Sequence, residues 1–282
     1  MVRPQSSFRS FSIVFVTKAY NSGMVAESNS PLLIADIGNS TIDLALFQFP
    51  VSWQAGIPQP IRTGKFSVAD LDLGELRSWL AAEPFVRCHI GSVNDKPRRQ
   101  LCELLTGFVP QKSIVSVRHE NYDMPMRVEE PAAVGIDRYA GAVAANRLRR
   151  PDRPAIVISS GSAITFNVVS AEGAFLGGMI APGMHLSVHT LSAKTDQLPL
   201  VSTKIDGPPL IGNNTVGAIQ SGVFWMTVGG IDGVLARLQE DLASECDLFG
   251  AGGSFPDLLS FLQHDVRFEP HLVLAGLALA ES

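Results

Sequence analysis

The chain has 282 residues, 46% of them hydrophobic, enough to bury one large core or two moderate ones. Its formal net charge of −5 comes from intermixed acidic and basic residues, so no basic face points to a nucleic-acid partner. No apolar run approaches the roughly 20 residues of a membrane span, and Cys88, Cys102 and Cys246 lack disulfide-framework or zinc spacing, which fits a reducing cytoplasm.

In the first 30 residues, Arg3, Arg9 and Lys18 flank a short apolar run, Phe11 to Val16. That run is short for a signal peptide and no A-x-A-like cleavage site follows, so residues 1–30 read as a disordered extension, with Met24 as a candidate initiator. Leu32 to Phe47 is then an apolar run that ends in a lone aspartate, Asp36, turns through Gly38-Asn39-Ser40, and resumes as a second run. This is the pattern of a buried β-hairpin with a Gly/Asn/Ser turn. Such a turn lets backbone amides and hydroxyls approach phosphate oxygens. Asp36 stands where a carboxylate is costly unless it holds a water, a metal or a donor.

Pro50 to Pro60 is a connection, Leu71 to Leu80 turns helical at its end, and Val86 to Val93 is a strand. A helix follows from about Lys96 to Leu105 and a strand from Ser113 to Val117, an alternation that predicts an α/β fold. Tyr139 to Leu148 has helical character with a small-residue face, so Gly135-Ile136-Asp137-Arg138 lies at a helix N-terminus, where negative charge is favoured. An aspartate there is most often a cap and an arginine most often surface charge. Together at a glycine-led helix start they also suit a base and an anion holder.

Ala155 to Val169 repeats the first hairpin, placing Ser159 on Asp36 and Gly161 on Gly38, 123 positions apart. One such loop is usually an ordinary hairpin; two in register favour two like domains facing one nucleotide cleft. Gly177 to Gly183 reads as a strand and tight turn, Leu186 to Lys194 as helix, and Val216 towards Leu242 as a long helix. Gly217, Gly222, Gly229, Gly230 and Gly233 weaken that helix on propensity alone, so a neighbour packs closely against it, either in the same chain or in a second copy. Leu248 to Ser254 is a strand running into a glycine turn suited to a flat adenine ring, and Leu272 to Leu277 is strand or helix core. His185 and His189, four apart with no third ligand nearby, read as helical surface or packing residues rather than a metal pair. Trp79 and Trp225 read as core or dimer contacts, and Met184 and Met226 as gap-fillers.

The succession Asp36 to Ser40, Gly135 to Arg138, Gly161-Ser162-Ala163, Gly177 to Gly183, Leu198 to Val201, Gly212 to Thr215 and Gly252-Gly253 resembles the type III pantothenate kinases, of the acetate and sugar kinase/Hsp70/actin superfold. The resemblance covers most of Leu32 to Ala280. It implies two duplicated actin/ribonuclease-H-like domains, residues 31–140 and 141–282, with the nucleotide between them. It implies ATP-dependent phosphorylation of pantothenate, the first step of coenzyme A biosynthesis, with Mg²⁺, a monovalent cation (K⁺ or NH₄⁺) and a homodimer in the cytoplasm. Carried over by motif, Asp36, Ile37, Gly38, Asn39, Ser40, Thr41, Ile42, Asp43 and Ser162 bind ATP, with Asp36 towards Mg²⁺. Gly135, Ile136, Asp137, Arg138 and Thr215 line the pantothenate site, and Asp137 is the catalytic base.

Three departures stand out. Ser159 replaces the aspartate that is the family's monovalent-cation ligand, a loss of order 4 kcal/mol before desolvation for one charge pair at about 4 Å and an effective dielectric of 20. Asn167 replaces another aspartate, and Ser40 and Ser162 stand for threonines with the hydroxyl kept. The departures at Ser159 and Asn167 motivate an alternative: a catalytically weak or silent nucleotide-binding regulator, like relatives named Bvg accessory factors. A third expectation keeps the fold and changes the acceptor.

Overall fold

A computed structural model describes residues 31–48 and 56–281. The extension of residues 1–30 and most of the connection after Pro50 fall outside the described residues.

The first hairpin is β1 (Leu32–Ile37) and β2 (Thr41–Phe47), closed by a main-chain hydrogen bond from Gly38 to Thr41 at 2.9 Å. It joins β3 (Arg62–Ser67), β4 (Arg87–Ser92) and β5 (Ile114–Ser116) in a sheet of order β3-β2-β1-β4-β5. The β1–β2 and β2–β3 pairs are antiparallel and the β1–β4 and β4–β5 pairs parallel. The second sheet repeats this plan. β6 (Ala155–Ser160), β7 (Ala163–Val169) and β8 (Phe175–Pro182) take the places of β1, β2 and β3, and β9 (Asp247–Ala251) and β10 (Arg267–Phe268) those of β4 and β5. The duplicated ribonuclease-H/actin-like architecture therefore holds in strand order and in strand direction.

Side-chain alternation decides what covers each face. In the first sheet Leu33, Ala35 and Ile37 point outward, where α1 (Leu73–Ala81) and α2 (Asp95–Leu105) bury them with Leu76, Leu80, Leu101 and Leu105. Asp72 caps α1, its carboxylate accepting from the Gly74 and Glu75 amides. On the second sheet, Ile156 and Ile158 meet Phe224, Val228, Ile231 and Leu235 of α5 (Thr215–Asp241) and Leu258 of the short α6 (Pro256–Leu259).

The inner faces of both sheets share one core with two helices, α3 (Ile136–Leu148) and α7 (Leu272–Ala278). α3 lies on β6 and β7, whereas α7 returns to β1, β2 and β4. The two helices touch closely because Gly276 has no side chain: a Cβ there would stand 1.9 Å from the Ala140 carbonyl oxygen. α3 runs unbroken through residues 140 and 141.

Several expectations are corrected. Gly135 to Arg138 lies at the helix N-terminus as expected, with Gly135 as N-cap and Asp137 in the first turn, but α3 begins at Ile136 and no side chain caps this terminus. α4 (Met184–Lys194) starts directly after Gly183, two residues earlier than expected, and of the two readings of Leu272 to Leu277 the helix holds. The 123-position repeat holds only up to the turn. The second loop is one residue shorter, so Ser40 meets Ser162, 122 positions on. Met226 is no gap-filler: it is 79% exposed.

Candidate active site

The inward stripe of β1 starts with Leu32 and Ile34 and ends in Asp36, so the carboxylate continues a core row out to the edge of the shared core. Strand register sets its neighbours. Asp36 lies opposite Asp43 on β2, and Asp43 lies opposite Lys65 on β3, a row of two acids and a base across three strands. The Lys65 ammonium donates to Asp43 Oδ1 at 2.9 Å, and Thr41 Oγ1 donates to the other carboxylate oxygen at 2.8 Å.

Asp36 makes no side-chain hydrogen bond among the described residues. Burial pushes its carboxyl up to about 8 from the usual 3.8; the charges of Asp137 and Asp43 push the same way, and Lys65 opposes them. A carboxyl so placed is short of a cation. An open cavity of about 400 Å³ lies beside it, bounded by Asp36, Asp43 and Lys65 on one side and by Ser159, Gly252 and Gly253 on the other. The Asp36 carboxyl, with no hydrogen-bond partner of its own, fits a single protein ligand to a hard divalent ion carried in by a nucleotide. Ser159, on the opposite side of the cavity, offers a neutral oxygen in place of a charged ligand.

The two hairpin turns meet at their tips, Ser40 Oγ to Ser162 Oγ at 2.6 Å. Asn39, Ser40 and Ser162 are exposed there, with Gly38 and Thr41 beneath. Ile37 and Ile42 have their side chains fully in the core, so they can meet a ligand only through the main chain.

At the start of α3, Gly135 leaves room for its neighbour: a Cβ there would lie 2.5 Å from Asp137 Oδ1. Arg138 follows, half-buried, and its Nε donates to the Asn167 side-chain oxygen at 2.7 Å. Asn167 is 2% exposed on β7, and its amide nitrogen reaches Thr165 Oγ1 at 3.3 Å. Burial lowers the Arg138 pKa and the Asp137 charge beside it raises it. The two terminal guanidinium nitrogens have no hydrogen-bond partner among the described residues, so a partly desolvated cation faces outward with a neutral amide behind it.

The structure thus brings Asp36, Asp43 and Ser159 to one cavity, with Asp137 close enough to act on Asp36 through its charge, and the two turns meet each other at Ser40 and Ser162. It does not bring Thr215 there. That residue is exposed in the first turn of α5, directly after the Asn214 cap, and its side chain makes no hydrogen bond to Asp137 or Arg138. Lys65 is the functional candidate that sequence reasoning missed. Its strand is short, polar and marked by no glycine turn, and only pairing with β2 shows where the side chain goes.

The remaining single residues fall on surfaces and joints. His185 and His189 face each other on α4, Nε2 to Nε2 at 3.1 Å, and no cluster of three metal-binding side chains occurs among the described residues. Trp79 covers Gly64 and carries Arg62 stacked at 4.4 Å, and the Trp225 indole donates to the Pro208 carbonyl. No helix among the described residues is long and apolar enough to cross a membrane.

Comparison with known proteins gives consistent matches. The type III pantothenate kinase family model matches residues 32–237. The chain is 33% identical to the type III pantothenate kinase of Phenylobacterium zucineum, over 70% of this chain and 76% of that protein. It is 31% identical to that of Parafrankia sp., over 88% and 96%, and 29% identical to that of Moorella thermoacetica, over 88% and 97%. Among solved structures, one described as a Baf family transcriptional activator from Campylobacter jejuni superposes with a TM-score of 0.54 at 21% identity, over 87% of this chain and 94% of that one. At that identity the likeness speaks for the fold alone.

Proposed function

The chain belongs to the type III pantothenate kinase family, and we propose that it transfers the γ-phosphoryl group of ATP to the primary hydroxyl of pantothenate, the first step of coenzyme A synthesis. The single observation that supports this beyond family membership is the row Asp36–Asp43–Lys65 at one cavity, with Asp137 near enough for its charge to act on Asp36. Phosphoryl transfer asks mainly for positioning and for neutralisation of dispersed negative charge. Amides and hydroxyls of Gly38 to Thr41, with Ser162 opposite, are placed to hold phosphate oxygens. A divalent ion bound with the nucleotide at Asp36 would supply charge neutralisation at the transferring group.

In this reading Asp137 accepts the proton of the attacking hydroxyl, and the free side of Arg138 holds the acceptor's carboxylate. Gly135 and Ile136 shape the wall beside them, and Ile37, Ile42 and Asp43 support the nucleotide loop. Thr215 belongs to the acceptor site only if something beyond this chain's own contacts brings it there. We propose further that turnover has no need of K⁺ or NH₄⁺, since Ser159 removes the charged ligand and Lys65 already occupies the same cavity.

A homodimer is supported by an apolar groove of about 700 Å³ between α4 and α5, flanked by exposed Leu186, Val216 and Met226. Among the described residues nothing lies within 4 Å of where a Cβ on Gly222, Gly229 or Gly230 would stand, which supports a second copy as the close neighbour of these glycines. The free thiols of Cys88, Cys102 and Cys246 support a cytoplasmic setting. The two lobes proposed, residues 31–140 and 141–282, carry one sheet each.

Pantothenate-dependent ADP release tests the reading, with and without K⁺. Turnover in both conditions is expected. No release with pantothenate at millimolar-scale ATP would remove it.

A further inference from the structure

We infer that the Lys65 ammonium is a nucleotide-binding cation, which leaves Asp43 to clamp the polyphosphate between the two lobes. The inference rests on the kinase reading and adds to it a residue from a strand outside the sequence motifs.

Three observations carry it. First, position: β3 is fixed from outside, because Trp79 lies against Gly64 and Arg62 both stacks on that ring and donates to the Trp79 carbonyl at 3.1 Å. With Gly64 held outward, strand alternation turns Lys65 inward, onto the row of Asp43 and Asp36. Second, reach: Lys65 Nζ stands 3.7 Å from where a Cβ on Gly253 would be, so the ammonium extends from the first sheet to the glycine turn after β9. Third, charge: among the described residues lining this cavity, Lys65 is the only lysine or arginine, set against the carboxylates of Asp36 and Asp43. A triphosphate with one divalent ion remains anionic, and two acids would repel it unless a further cation stood there.

The present partner of Lys65 can be given up. Lys65 is 56% exposed and Asp43 28%, and a pair so open to water contributes little to stability. Exchanging one carboxylate for several phosphate oxygens is a net gain in charge-assisted hydrogen bonds. Asp43 keeps Thr41 as a donor after the exchange.

The test compares wild type, Lys65→Ala and Lys65→Arg. Calorimetry measures the affinity of each for a magnesium complex of a non-hydrolysable ATP analogue and for AMP. Pantothenate-dependent ADP release is followed in parallel, with and without methylammonium. Lys65→Ala should weaken triphosphate binding about tenfold or more while AMP affinity changes less than about twofold. Lys65→Arg should keep most of the affinity, and methylammonium should restore part of the turnover of Lys65→Ala. Equal losses for triphosphate and AMP, or no loss for the triphosphate, would overturn the inference. Because binding is measured without acceptor, a wild type that binds nucleotide through Lys65 yet leaves pantothenate untouched would support the inference and remove the pantothenate reading alone.

Discussion

Asp36→Asn should stabilise the nucleotide-free protein while abolishing its activity. In the folded chain the Asp36 carboxyl is pushed up to about 8 from 3.8, chiefly by burial and then by Asp137 and Asp43. At ~1.4 kcal/mol per tenfold change in affinity, that displacement corresponds to at most about 6 kcal/mol against the ionised form. The carboxylate borders an open cavity, and solvent there reduces the figure to about 2–3 kcal/mol. The sign follows from proton binding: between the two pKa values the folded state holds a proton that the unfolded state has lost. The stabilisation from protonated Asp36 is therefore complete below about pH 4 and is lost as pH rises towards about 8. Asparagine has no such dependence. Urea unfolding of both proteins across that window isolates the contribution, because every other titrating group is common to them. Wild type should lose about 2–3 kcal/mol relative to Asp36→Asn between the two ends, and the magnesium complex of ATP should return it to wild type alone. Parallel stability curves would refute the placement of Asp36 as an unpartnered carboxyl at the cleft.

Asp137→Asn should lower turnover by about 10²–10⁴-fold with nucleotide affinity retained, read as ADP release beside calorimetry. Asn167→Ala should raise the pantothenate KM about tenfold with little effect on the ATP KM, because it frees Arg138 rather than touching the nucleotide. Gly276→Val should cost about 3 kcal/mol or prevent folding, since its side chain would enter the Ala140 carbonyl; thermal unfolding measures it. Met226→Lys should turn a dimer into monomers in sedimentation, without change in the secondary structure seen by circular dichroism.

The parts of the site legible in sequence are those where local chemistry and placement coincide. Asp36 interrupts an apolar run just before a glycine, and Gly135-Ile136-Asp137-Arg138 announces a helix start, so both could be placed without a fold. Lys65 could not. In Arg62 to Ser67 the polar side chains alternate along a strand with one buried residue, a pattern equally suited to a surface loop. Its meaning depends on register with β2, which is fixed by contacts far apart in sequence. Asn167 was visible as a departure, but its hydrogen bond to Arg138 joins β7 to α3 and has no local signature. The tetrad marks the helix start in the sequence, but the residue at which α3 begins is set by packing that has no local signature. Gly135 suits that start by the space it leaves for Asp137.

The return of α7 to the first sheet bears on how the chain is made. His89 of β4 meets the Leu277 carbonyl across 188 positions, and Ala275 and Leu277 complete the core against which Leu32 and Ile34 lie. A ribosome that has released the first sheet has not yet released the helix that seals its inner face. Until then that apolar surface is open to water, to chaperones and to other nascent chains. The first lobe can finish folding only after the second has been synthesised, so the two halves of the cleft mature together.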